Sequence, residues 1–229
     1  MESDLVYTPE QRDLLLDLFH SGAILLGDAV RERFGLRSPI YINMRGPLYD
    51  NPDLLWRVGR EYARKICDLA LDKTIPQCVV GIPDTATPLA LATALYSIQN
   101  QTRPAITYAL LRKDSKTYPG HAPTYWIGTR DTSREYNLID DVVASGKTKR
   151  DAARKMQGDG LNIARVIVLV DREQGDGLRQ EGYDLHGVLR ITEVLNFYRA
   201  EKLISPDQHQ TIVDFLAQHR FDAETPLSK

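Results

Sequence analysis

Residues 137–149, NLIDDVVASGKTK, bring two adjacent acids, a run of small residues and Gly146-Lys147-Thr148 into one short stretch. A nucleoside-triphosphate P-loop needs Gly, four residues, then Gly-Lys-Ser/Thr. Here Asp141 holds the first glycine position, an anion where bare backbone would have to meet phosphate, so that reading is set aside. What remains is a cradle for one phosphate monoester. Ala144, Ser145 and Gly146 are small, and a helix opening near Thr148 would direct unpaired N–H groups and its dipole into the turn. Ser145 and Thr148 add hydroxyl donors. Asp140 and Asp141 are acceptors only, and a pair of carboxylates suits two vicinal hydroxyls. A ribose 5-phosphate presents that combination. The same residues admit a plainer reading, in which one acid complements the helix dipole and the other is a solvated charge.

The elements that must position this turn follow from hydrophobic periodicity. Thr8 and Pro9 open a helix over 9–30, with apolar positions at Leu14, Leu15, Leu18 and Phe19. A second helix spans 52–71, from Pro52 through Leu55, Val58, Tyr62, Ile66 and Leu69. The run at 78–83 has the pattern of a buried strand and passes directly into a helix at 88–97. Residues 106–111 form the next strand, and 112–134 is a long polar segment with several basic residues. A strand at 136–140 leads into the turn and a helix at 148–157, which Gly158 and Gly160 end. Strands at 164–170 and 185–190 precede helices at 192–202 and 205–218. Strands alternating with helices predict an α/β fold with a parallel sheet covered on both faces. No repeat or linker-like shift divides the chain, so 1–229 reads as a single domain with a frayed tail at 222–229. Ligands of such sheets gather beyond the carboxyl ends of the strands. Segments 81–88, 140–148 and 171–177 lie at such ends.

The chain has 229 residues, 42% hydrophobic and 26% charged, which suits one large domain or one domain with a small appendage. A net charge of −2 argues against nucleic acid and anionic membrane surfaces as partners, so phosphate binding must come from a local site. Cys67 and Cys78 have no metal-type or redox-type spacing, and the acidic start Met1-Glu2-Ser3-Asp4 is unlike a signal peptide. A cytoplasmic location is expected. No stretch approaches the roughly 20 apolar residues that span a bilayer. The histidines at 20, 121, 186, 209 and 219 form no ligand cluster, and a structural zinc is not expected.

An apolar strand, two acids, two apolar residues and a small-residue turn ending in Gly and Ser/Thr resemble the diphosphoribose-binding signature of type I phosphoribosyltransferases. Leu36-Arg37-Ser38-Pro39-Ile40-Tyr41-Ile42-Asn43, Arg112-Lys113-Asp114-Ser115-Lys116-Thr117-Tyr118 and Asp171-Arg172-Glu173-Gln174-Gly175 each resemble segments of orotate phosphoribosyltransferase, in the form found in bifunctional UMP synthases. The resemblance runs from about residue 20 to residue 218. It implies a mostly parallel central sheet flanked by helices, with a small N-terminal hood over about 1–45. It also implies a pentosyl transfer of pyrimidine nucleotide biosynthesis. Phosphoribosyl pyrophosphate (PRPP) loses Mg-pyrophosphate at C1, and orotate N1 attacks to give orotidine 5'-monophosphate. Magnesium is the implied cofactor, held mainly by the diphosphate, with no protein ligand assigned.

The resemblance also implies site residues. Segment 112–134 corresponds to a catalytic loop that closes over the neighbouring subunit's active site, which implies a homodimer. In it Lys116 matches the lysine that neutralises the leaving pyrophosphate, with Arg112 and Lys113 beside it, and Asp141 completes the catalytic set. PRPP would be bound by Asp140, Asp141, Val143, Ala144, Ser145, Gly146, Lys147 and Thr148, and by Asp84 and Thr85 of the pyrophosphate loop. Arg172 matches the arginine that pairs with the orotate carboxylate, and Ala144 and Arg33 would also face orotate. Read without the resemblance, 112–134 is a solvated basic loop, and Asp171 and Arg172 are a structural ion pair.

Several positions depart from the pattern. Ala144 stands where relatives have a threonine, Asp84 replaces a tyrosine, and Lys147 stands where Gly or Ser is common, as a compensating charge. Tyr118 replaces the histidine of many bacterial relatives, as in UMP synthases. Two alternatives therefore stay open: a paralogue acting on another base, and a non-catalytic protein that binds PRPP or a nucleotide as a regulatory ligand.

Overall fold

The computed structural model describes residues 7–33, 36–120, 123–143, 145–161, 163–174 and 177–220, with backbone only at 28–33 and 36–37. In chain order the elements are α1 (Pro9–His20), β1 (Ile24–Arg33), β2 (Leu36–Ile42), α2 (Arg45–Asp50), α3 (Pro52–Leu69), β3 (Gln77–Gly81), α4 (Thr87–Gln99) and β4 (Ile106–Lys116). There follow β5 (Thr124–Ile127), β6 (Glu135–Val143), α5 (Lys147–Gly158), β7 (Ile163–Asp171), α6 (Gly177–Gln180), β8 (Leu185–Arg190), α7 (Ile191–Ala200) and α8 (Pro206–Gln218).

Six strands form the main sheet in the order β5-β4-β3-β6-β7-β8. The pairings of β3 with β4 and β6, of β6 with β7 and of β7 with β8 are parallel, and only β5 runs antiparallel. Register places Gly81 opposite Ile139 and Val143 opposite Asp171, so β6 and β7 end together, β3 ends opposite Ile139, and all three run to the same edge. β3 is buried along its whole length, as is β7 from Arg165 onward, which is why their apolar runs are continuous rather than alternating. Val79, Val80, Leu138, Ile139, Ile167, Val168, Leu169 and Val170 pack in one core with Leu54, Val58 and Ile66 of α3 and Val194 and Leu195 of α7. Each fully buried aliphatic side chain contributes about 1.5–3 kcal/mol.

Three helix starts carry side-chain caps: Thr8 receives the Gln11 N–H, Asn51 the Leu54 N–H and Ser205 the Gln208 N–H. Proline follows each cap, where its missing N–H is harmless. β1 and β2 form a separate antiparallel pair, with α1 and α8 packed near it.

Two expectations are corrected here. The helix read over 9–30 stops at His20, where the Ser21 N–H caps back to the Asp17 carbonyl. Ile24, Leu25 and Leu26 instead pair with Ile42, Tyr41 and Ile40. An apolar run of that length fits either a helix or a strand, and its pairing partner decided between them. The strand read as 106–111 continues to Lys116, and β5 returns along it, so the first part of the polar segment is a hairpin.

Beneath the sheet, the amino-terminal ends of β3, β6 and β7 share a polar network. Asn137 Nδ2 donates to Gln77 Oε1 at 2.9 Å, Gln77 Nε2 to Glu135 Oε2 at 3.1 Å, and Arg165 Nη1 to Glu135 Oε2 at 2.8 Å. Gln77 and Asn137 are fully buried. Replacing Asn137 by Ala removes the shorter of two hydrogen bonds to Gln77 Oε1, leaving that from Arg165 Nη1 at 3.4 Å, and should cost about 0.5–1.5 kcal/mol in urea unfolding. A loss below about 0.5 kcal/mol would show that the network does not tie the strands together.

Candidate active site

The acids sit where β6 leaves the sheet. Asp140 is buried, and its Oδ2 accepts from the Lys149 ammonium at 2.5 Å. Lys149 also donates to the Val142 carbonyl and, at 3.4 Å, to Thr148 Oγ1. From α3, the Tyr62 hydroxyl donates to the Asp140 carbonyl at 2.6 Å. Asp140 Oδ1 accepts the Asp141 N–H at 3.0 Å, and Asp141 Oδ1 accepts the Val142 N–H at 2.8 Å. Burial and the neighbouring Asp140 charge push the Asp141 carboxyl from 3.8 up to about 7, with Lys149 pulling the other way. The two acids are therefore inequivalent. One is locked to a cation, and the other holds its proton near neutrality.

The turn beyond them is shaped for an anion. Gly146 has φ 75° and precedes α5, and a Cβ there would meet Leu178 Cγ at 2.6 Å. No described side chain caps α5 or α4, in contrast to α1, α3 and α8. These two uncapped helix starts follow the carboxyl ends of β6 and β3, so their N–H groups face the shared edge. In the 81–86 turn, a Cβ on Gly81 would lie 2.0 Å from the Ala86 carbonyl oxygen, so only glycine lets this backbone close. The Pro83–Asp84 peptide is cis.

Cations reach the 81–86 turn from two directions. Arg45 Nε, on α2, donates to Thr85 Oγ1 at 2.9 Å, and the Tyr49 hydroxyl donates to the Asp84 carbonyl at 3.4 Å. Burial raises the Tyr49 phenol against the opposing field of Arg45, with Asp84 and Asp141 adding to the rise. Through Arg45 and Tyr49, α2 thus contacts the turn, and Tyr49 feels the charge of Asp141. From β4, Lys113 Nζ lies 4.0 Å from Asp84 Oδ2, and both side chains are well exposed. Lys116 is further out, 5.0 Å from the Tyr118 ring, and Arg112 Nη2 donates to the Tyr118 hydroxyl at 3.4 Å. No described contact brings Lys116 to the acids.

The structure thus brings together Asp140, Asp141, Val143, Ser145, Gly146, Thr85 and Asp84, with Lys113 alongside. Lys147 and Thr148 open α5 and are exposed. Arg172 follows β7, half-buried, at the same edge. Asp171 is bound not by Arg172 but by Arg179, whose Nη2 is 2.8 Å from Asp171 Oδ2. The rival reading of Asp171 and Arg172 as a structural ion pair is not what the described contacts show, because Asp171 is already matched by Arg179. Ala144, Gly175 and the side chain of Arg33 lie outside the described residues.

The cation on the acids was not among the expected site residues. Lys147 is exposed, and the cation on the acids is Lys149. A sequence signal for this existed: Lys149, Ala152, Ala153 and Met156 form the buried stripe of α5, at i, i+3, i+4 and i+7. A lysine on an apolar stripe needs a buried anion, and the adjacent acids supply it. Arg45, Tyr49 and Tyr62 were missed for a different reason. Their roles depend on how α2 and α3 fold over the sheet, which no local pattern encodes.

The Asp141 shift has a consequence for stability. Its folded pKa, about 7, lies above the ordinary 3.8, so between these values the folded chain binds more protons than the unfolded one. This group's contribution is full below pH 4 and is lost as pH rises through 7. Asp141→Asn should therefore gain stability relative to the parent as pH rises from 4 to 8, as measured by urea midpoints. A difference independent of pH would contradict the assignment.

No family model matches the chain. It is 30% identical over 184 residues to the orotate phosphoribosyltransferase of Thermoplasma acidophilum, covering 79% of this chain and 95% of that one. It is 31% identical over 216 residues to the uridine 5'-monophosphate synthase of Bos taurus, covering 93% of this chain and 42% of the relative. The solved UMP synthase of Leishmania donovani superposes with a TM-score of 0.73 at 27% identity, over 91% of this chain and 42% of that one. The chain thus spans about two fifths of the bifunctional relatives and nearly all of the archaeal one. With the acid pair, the uncapped turn and this coverage together, the chain belongs to the orotate phosphoribosyltransferase family.

Proposed function

We propose that this chain transfers the phosphoribosyl group of PRPP to orotate, in the cytoplasm, giving orotidine 5'-monophosphate and pyrophosphate. The observation that carries the reading is the convergence of three loops, after β3, β6 and β7, on one edge. The turn at 145–148 takes the 5-phosphate on uncapped N–H groups, and the acids take the ribose hydroxyls. The 81–86 turn takes the diphosphate, and Arg172 takes the orotate carboxylate as a guanidinium fork.

Departure of pyrophosphate concentrates negative charge beside Asp84, and the cations around it must offset that charge. Lys113 and Arg45 are in place, and Lys116 on the exposed β4–β5 hairpin would be brought by closure of the hairpin. Magnesium fits as a substrate-borne ion. Among the described residues no group of three or more His, Cys, Asp or Glu forms a metal cage. A small hard cation bound through substrate phosphates does not need one. It would be held over the 81–86 turn by the diphosphate and would add charge neutralisation there.

A homodimer fits the exposed apolar residues Leu91, Leu95 and Ile98, which recur at helical spacing on α4 beside the exposed Tyr108 of β4. In such a dimer each hairpin would close over the neighbouring site.

Mixing the chain with magnesium, PRPP and orotate should deplete the orotate ultraviolet absorbance. No change at high protein concentration would overturn the reading. Lys116→Ala should lower kcat by about 10²–10³-fold while changing PRPP affinity much less, as expected for a group acting on developing charge. Equal losses in both would contradict its role.

A further inference from the structure

We propose that Lys149 is a positioning residue of the ribose site: by drawing Asp140 inward onto its ammonium, it leaves Asp141 as the carboxylate presented to the substrate hydroxyls. The inference rests on the phosphoribosyl reading above and assigns a residue to it.

Four observations carry it. Lys149 is only 5% exposed, so its charge serves an internal partner and not solvent. Its ammonium is shared between Asp140 Oδ2 and the Val142 carbonyl, so one side chain ties the acid to the backbone immediately after it. That link spans the turn, because Lys149 belongs to α5 and Asp140 and Val142 to β6. Finally, Asp140 spends Oδ1 on the Asp141 N–H and Oδ2 on Lys149, whereas Asp141 spends Oδ1 on the Val142 N–H and otherwise meets only the Asp140 carboxyl among the described contacts. The acceptor capacity left at the edge therefore belongs mainly to Asp141.

A buried cation with one anion and one carbonyl also sets the charge state of its neighbours. The groups facing Asp141 are Asp140 from its own strand, Lys149 from α5, Tyr62 from α3, and Tyr49 with its neighbours Arg45 and Asp84 from the hood side. Lys149 is the cation that acts most strongly on Asp141, and removing it leaves two adjacent carboxylates with no buried counter-charge. Such a pair titrates together, and its second proton leaves at higher pH.

The test measures binding of Mg-PRPP to the full chain by calorimetry between pH 5.5 and 9, independently of orotate turnover. Ligand protonation is common to all variants, so only differences between variants are read. For the parent, affinity should rise with a midpoint near 7, set by Asp141. Lys149→Met should move that midpoint up by about one pH unit or more, as expected for a like-charge pair that has lost its cation. Lys149→Arg should restore it. Because Lys149→Met strands a buried carboxylate and can fail to fold, the neutral pair Asp140→Asn/Lys149→Met is measured as well. Its midpoint should fall below the parent's, since Asp141 then has no anionic neighbour.

A lysine whose charge does not reach the substrate-binding acid would lower the melting temperature and leave both midpoints where they are. Midpoints within about 0.3 unit of the parent in the folded variants would overturn the proposal, since that is well below a single like-charge effect. If the parent fails to bind Mg-PRPP at any pH, the phosphoribosyl reading itself falls, and the assignment of Lys149 falls with it.

Discussion

Parallel pairing of β6, with β3 on one flank and β7 on the other, is the constraint on which the rest depends. Parallel strands end at the same edge, and each must be followed by a crossover that leaves from that edge. The loops after β3, β6 and β7 are therefore neighbours in space although they are far apart in sequence. Burial of the central strands on both faces leaves this edge as the place where polar backbone and charge collect. The acids of β6 lie half inside that boundary: Asp140 just below it and Asp141 at it. Their different partners follow from that one-residue step, since successive side chains of a strand point to opposite faces.

A second consequence concerns charge. The chain is slightly acidic overall, so it does not draw phosphate by its net field. On the proposed reading attraction is local, and two uncapped helix starts and a few cations would supply it. Lys149 is spent internally on Asp140, whereas Arg45 and Lys113 are arranged around the 81–86 turn. On the proposed reading, this division separates the end that would hold a sugar from the end that would accommodate a leaving anion. Asp84 is the awkward element, an acid at the anionic end, and its position 4.0 Å from Lys113 shows where part of its charge is offset.

Much of this was legible in the sequence, and the reasons for what was not are physical. The order of β3, α4, β4, β6, α5, β7 and β8 followed from period and turn residues, because fully buried strands and amphipathic helices write themselves as patterns. The hood did not, since β1 is an apolar run whose identity rests on pairing with a distant β2. Asp140, Asp141, Ser145 and Gly146 were found because they are adjacent in sequence. Lys149 is only nine residues from Asp140, yet it was passed over, although the stripe of α5 marked it. Arg45, Tyr49 and Tyr62 belong to elements that reach the site only through tertiary packing.

The central claim is that the β6 acids and the following turn hold the two ends of a ribose 5-phosphate. A structure of the chain with Mg-PRPP tests it most directly. The account predicts the 5-phosphate on the N–H groups of 145–148, with at least one ribose hydroxyl donating to Asp141 and Lys149 still on Asp140. A 5-phosphate bound elsewhere, or ribose hydroxyls turned away from both acids, would contradict it.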